Sequence, residues 1–147
     1  MATNSSGIMG SLEDIFGKKA PQLPKGAKDF LVKYAHIFAI IGIVIYALGI
    51  LALLGIGAVV SPFAAAVGAT GFFTGVFFGV VTLGIEAGLL LMAIPGLKKR
   101  SMQGWNLLFY SEVVSIVVNV LQINILSAII SFLIGFYILF QIRSYYK

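Results

Sequence analysis

Two glutamates, Glu86 and Glu112, stand inside otherwise uncharged apolar runs, and they are the residues of this chain best placed to do chemistry. A carboxyl inside a bilayer costs about 2.5–3.5 kcal/mol even on a lenient insertion scale, so its presence calls for a functional or structural reason. Glu86 lies eight residues before Ile94, and Glu112 lies seven after Trp105. At about 1.5 Å per residue each is roughly 11–12 Å from its helix end, so consecutive antiparallel helices place both at one depth. Thr82 falls on the helical stripe of Glu86, and Ser115 and Asn119 fall on that of Glu112. Glu86, Glu112, Thr82, Ser115 and Asn119 are therefore the candidate intramembrane polar site. Two chemistries suit it. A protonated carboxyl bonded to its neighbours acts as interhelical glue, whereas a carboxyl that exchanges its proton for a cation is a transport site.

Other chemistries lack their residues. The chain has no Cys, which excludes disulfides, thiolate metal sites and thiol nucleophiles. His36 is the only histidine, and one imidazole does not build a metal centre; hydrogen bonding at the membrane surface is the expected role. No H-E-x-x-H, no Ser–His–acid set and no phosphate-binding loop occurs. The expectation is a protein without catalytic, cofactor-binding or metal-binding residues, and not an enzyme.

The elements that position the two acids are four apolar runs, placed at Tyr34–Gly57, Gly71–Ile94, Trp105–Leu121 and Ile125–Ile142. The 147 residues are 60% hydrophobic and only 10% charged, against about 25% charged for an ordinary soluble domain. Each run has the length of a membrane span, for which about 17–25 residues suffice. All ten Lys and Arg residues fall outside the runs: five at Lys18–Lys33, three at Lys98–Arg100, then Arg143 and Lys147. The connections around Ala58–Ala69 and Gln122–Asn124 carry no charge. That asymmetry is the positive-inside pattern of a multi-pass protein of the cell inner membrane with N- and C-termini cytoplasmic. The fold class expected is all-α, four transmembrane helices in an antiparallel bundle. The net charge of +5 is read as anchorage to the lipid bilayer rather than as a nucleic-acid face. Tyr34, Trp105, Tyr145 and Tyr146 are expected to form an interfacial aromatic belt.

Residues 1–26 read as a cytoplasmic N-terminal segment and 27–147 as the membrane domain. Met1–Gly10 look disordered, and the Asn4-Ser5-Ser6 sequon has no meaning on the cytoplasmic side. Ser11 caps a short amphipathic helix to Phe16 whose apolar face rests on the membrane or docks a partner. Ser61-Pro62 is a helix-start signal for the second span, or for a surface helix before it. Pro95-Gly96 ends that span.

Each span carries one small or polar stripe: Ala35, Ala39, Gly42, Tyr46 and Gly49 on the first, and Asn124, Ser127, Ala128, Ser131 and Gly135 on the fourth. Helices in lipid associate by close backbone approach, so Gly71, Gly75 and Gly79 are expected packing positions. Gly84 and Gly88 lie on the opposite face and point to a homo-oligomer or to other membrane protein subunits.

The stretch Pro95-Gly96-Leu97-Lys98-Lys99-Arg100 with Gly104-Trp105-Asn106-Leu107-Leu108-Phe109-Tyr110-Ser111-Glu112 resembles segments of small uncharacterised four-helix bacterial membrane proteins, a resemblance that brings no activity with it. Small multidrug transporters also have four spans and a membrane glutamate, but theirs is in the first span, where this chain has none. The expected role is a non-enzymatic membrane protein, self-assembling or an accessory subunit. The alternative is a small proton- or cation-coupled transporter or channel using Glu86 and Glu112.

Overall fold

In a computed structural model, residues 7–147 are described, and nearly all are helical. Of Met1–Gly10, read as disordered, Met1–Ser6 with the Asn4 sequon lie outside the described residues, and Ile8–Gly10 are instead helical. A short helix α1 (Ile8–Leu12) continues as a π-helical turn, Glu13–Lys19. An extended segment leads to α2 (Lys25–Ala66), then α3 (Thr70–Lys98), α4 (Met102–Leu121), α5 (Ile125–Ile130), a second π-helical turn at Ser131–Gly135, and α6 (Phe136–Ile142), closed by a 3-10 turn at Arg143–Tyr145. Four helices, counting Ile125–Tyr145 as one, are long and apolar enough to cross a membrane.

The first long helix overruns its expected end. Pro62 does not start a new helix but lies inside α2. Proline removes the N–H that would bond the Ala58 carbonyl. The Ser61 hydroxyl donates to that same carbonyl at 3.5 Å, so the acceptor keeps a donor and the helix continues. The break comes at Gly68, whose φ of 69° is left-handed backbone that glycine adopts without penalty. Pro95-Gly96 likewise does not end α3, which runs to Lys98. One lost hydrogen bond is too little to stop a helix that has packing on its far side.

The helices pair in opposite directions. A Cβ built on Gly42 would meet Leu90, on Gly49 Leu83, and on Gly57 Val76, so α2 numbers rise as α3 numbers fall. The α3–α4 hairpin closes on backbone. A Cβ on Gly96 would lie 2.6 Å from both Cα and N of Gly104, and one on Gly104 only 2.5 Å from the Gly96 carbonyl carbon. Glycine at both positions is a steric requirement of this crossing. α2 has 42 residues and α3 has 29, against 20 in α4. The α2–α3 hairpin therefore extends about 13 Å past the α4–α5 turn.

The densest core sits at the opposite end, where the basic residues cluster. Trp105 is wholly buried, stacked on Phe109 at 5.6 Å, and Phe109 stacks on Phe136 at 5.4 Å. Trp105 and Tyr146 thus do not belong to an interfacial belt. The indole N–H has found a partner inside, the Leu139 carbonyl at 2.9 Å, which removes its need for water.

The N-terminal segment is neither a surface turn nor an outward docking peptide. Ser11 lies within α1 rather than capping it, and Leu12 and Phe16 are buried in the same core as Trp105. The fold carries this segment across the core as a strap. The division at residue 26 falls inside the first turn of α2.

Candidate functional site

Glu86 is carried by the middle of α3 and is buried, 5% exposed. Glu112, half-buried on α4, has Glu86 as its nearest charged neighbour. The phenol of Tyr46, from α2, approaches the Glu86 carboxyl as its polar contact. Three helices thus converge on one interior group of three oxygen-bearing side chains.

The fourth helical run shapes the other side of Glu112. The built Cβ of Gly135 would overlap the Glu112 carboxyl, so the absence of a side chain there is what makes room for it. Gly135 closes the π-helical turn Ser131–Gly135. An inserted residue in a helix widens one turn, and such turns recur beside functional groups.

A cleft of about 560 Å³ leads to this group. Glu86, Thr82, Ser115, Asn119 and Gln122 line it, together with Gly75 and Gly79. Along α4 the order Gln122, Asn119, Ser115 runs from the α4–α5 turn inward, and Glu112 lies one turn deeper, outside the cleft lining. Beyond Glu112 the aromatic stack of Phe109, Phe136 and Trp105 fills the interior. The cleft is therefore mixed in character: Leu53, Phe78, Leu83 and Val118 share its walls with the five polar side chains.

The five expected site residues are thus placed unequally. Four line the cleft, and Glu112 lies behind it. Asn119 does not reach either acid; its amide donates to the Ser115 carbonyl of its own helix at 2.8 Å. Tyr46 and Gly135 complete the site. Both lie on the small-residue stripes of their spans, but a stripe assigns a residue to a face and not to a partner. Among the described residues no three metal-ligating side chains come together.

The packing glycines also divide. Gly79 meets Leu53 at 2.9 Å, whereas Gly71, Gly75, Gly84 and Gly88 have nothing within 4 Å of where a Cβ would be. Gly42 and Gly49 on α2, with the Gly96–Gly104 pair, make the close approaches inside the chain.

A second polar constellation ties the strap down. Gln141, buried on α6, donates to the Phe16 carbonyl at 2.8 Å and accepts from the Leu23 N–H at 3.1 Å. Tyr137 donates to the Pro21 carbonyl at 2.6 Å. Arg143 pairs with Glu13 and lies over the Trp105 ring at 5.1 Å.

No protein-family model matches the chain, and neither a curated protein nor a solved structure does so.

Proposed function

We propose that this chain is a four-span integral protein of the cytoplasmic membrane, an antiparallel bundle with both termini cytoplasmic, whose work is assembly and not catalysis. The observation that carries this reading is the division of the glycines. Gly42, Gly49 and Gly57 on α2, and Gly79 on α3, are taken up by packing inside the chain, while Gly71, Gly75, Gly84 and Gly88 on α3 face open space, as do Gly26 and Gly55 on α2. Small side chains on a lipid-facing helix admit the backbone of another helix, and their use is in association. The outer faces of α2 and α3 are correspondingly bare: of their most apolar windows only 6% and 11% is buried. A second copy of the chain is the expected neighbour, and an accessory place in a larger membrane complex is the other form of the same role.

A second reading, proton- or cation-coupled transport through Glu86 and Glu112, is favoured by the cleft that Glu86 lines with Thr82, Ser115, Asn119 and Gln122. A flux measurement in proteoliposomes at two pH values tests it. Flux that disappears with Glu86→Gln supports transport, and the absence of any flux in the unaltered protein leaves assembly alone.

The membrane placement is tested by labelling, which the lack of native cysteine makes clean. Pro62→Cys is expected to react with an impermeant thiol reagent from outside and Lys99→Cys only after the membrane is opened. Reaction of both from one side contradicts the four-span arrangement.

A further inference from the structure

The strap does more than cover the core: together with the end of α6 it encloses a polar pocket of about 310 Å³. Lys18, Lys28 and Arg143 line it, with Glu13, Gln22 and Ser144. Three cations therefore face one carboxylate across a small space. The carboxylate is already committed, since Glu13 pairs with Arg143.

The two lysines keep free donors. Lys28 gives one N–H to the Gln22 side-chain oxygen at 2.7 Å, and an ammonium has two more. Lys18 forms a loose ion pair with Asp14 at 3.9 Å, too long for a hydrogen bond, while Lys19 approaches the other oxygen of that carboxylate at 2.8 Å. Two ammonium groups with unfilled donors thus share a concavity whose only acid is neutralised. The chemistry this selects is an anion with several acceptor oxygens.

The strap itself fixes the spacing of the lysines. Gln22 donates to the Gly17 carbonyl at 2.6 Å while accepting from Lys28, so one side chain sets the distance between the strap and the start of α2. The pocket lies at the basic end of the molecule, the depth of the inner-leaflet headgroups under the proposed topology. Basic pockets between helices at that depth recognise lipid phosphates.

We propose that this pocket binds a phosphate group, and that the bilayer presents it as the headgroup of an anionic phospholipid. Binding clamps the strap to α2, because the anion bridges Lys18 on the strap and Lys28 on α2.

The test uses the full-length protein in mild detergent. Thermal stability is measured with added phosphatidylglycerol, with phosphatidylcholine, and with inorganic phosphate. Phosphatidylglycerol is expected to raise the melting temperature saturably and to remain bound in native mass spectra, with phosphatidylcholine inert. The double variant Lys18→Gln/Lys28→Gln is expected to bind it about 30-fold more weakly, from two lost charges. Lys98→Gln/Lys99→Gln, which removes equal charge from the same end, is expected to keep full affinity. A saturable shift with inorganic phosphate alone would retain the phosphate site and reject the lipid as its source. No saturable shift with either ligand, or equal loss in both double variants, would overturn the proposal.

Discussion

Gly135 and Glu112 are the two residues whose relation decides the shape of the interior site. A methyl group on Gly135 has no space while the Glu112 carboxyl is where it is. Gly135→Ala is expected to destabilise the protein by about 1–3 kcal/mol, the usual range for overpacking. Shortening the partner relieves the clash, so Gly135→Ala combined with Glu112→Ala should be less harmful than the sum of the two; melting of the four proteins in detergent reads this coupling. Gln141 is the corresponding residue for the strap. Replacing it with Leu leaves the Phe16 carbonyl and the Leu23 N–H without their partner, at an expected cost of about 1–3 kcal/mol. Faster hydrogen exchange confined to residues 13–23 would register the release. At the strap's exposed edge, the Lys19 hydrogen bond and then its charge hold the Asp14 carboxyl below the usual carboxylate range. That contribution is present above the carboxyl's ordinary pKa and is lost as pH falls through its lowered value, so acid should loosen this edge before it disturbs Gln141. The two acids were legible in the sequence because charge in an apolar run is rare. Gln141 was not, because a single amide near the end of a span looks like a polar boundary until the segment it binds is known.

Among the elements, the three interhelical turns share one construction that the sequence disguises. In each, two backbone bonds close the preceding helix: Ala69 to Ala64 with Gly68 to Ala65, Ser101 to Gly96 with Arg100 to Leu97, and Asn124 to Asn119 with Ile123 to Val120. This is the Schellman arrangement, which places its penultimate residue in left-handed backbone. Glycine occupies that place only at residue 68; Arg100 has φ 53° and Ile123 φ 59°. A β-branched residue is the costliest choice there. Ile123 is 84% exposed, so little packing is lost on replacing it. Ile123→Gly is therefore expected to stabilise the protein by about 1 kcal/mol, seen as a higher melting temperature; a lower one would mean that the side chain is held by contacts outside this chain. The opposite sign is expected at the α3–α4 crossing, where Gly96→Ala places a Cβ against backbone and should prevent the hairpin from closing. The number of long apolar helices followed from hydropathy. Helix ends did not, because Pro62 and Pro95 look like boundaries by local preference. Ser61 overrides that preference at the first, as does the Gly104 contact at the second.

The molecule as a whole joins a tightly closed basic end to a sparsely packed apolar hairpin. At the closed end the rings, Gln141 and the strap pack on one another, and the basic pocket beside them is left to an anion. The α2–α3 hairpin is open by contrast: six glycines of its two helices, Gly84 and Gly88 among them, meet no side chain of their own chain. The central claim is that the Gly84–Gly88 face of α3 is completed by another helix in the membrane. Disulfide trapping in membranes tests it most directly, since the chain contains no cysteine to interfere. Gly84→Cys and Gly88→Cys are introduced singly, and Gly79→Cys, which packs on Leu53, serves as the internal control. The account predicts that mild oxidation yields a covalent dimer from Cys at 84 or 88 and none from Cys at 79. A monomer at all three positions, with a monomeric mass in mild detergent, would contradict it.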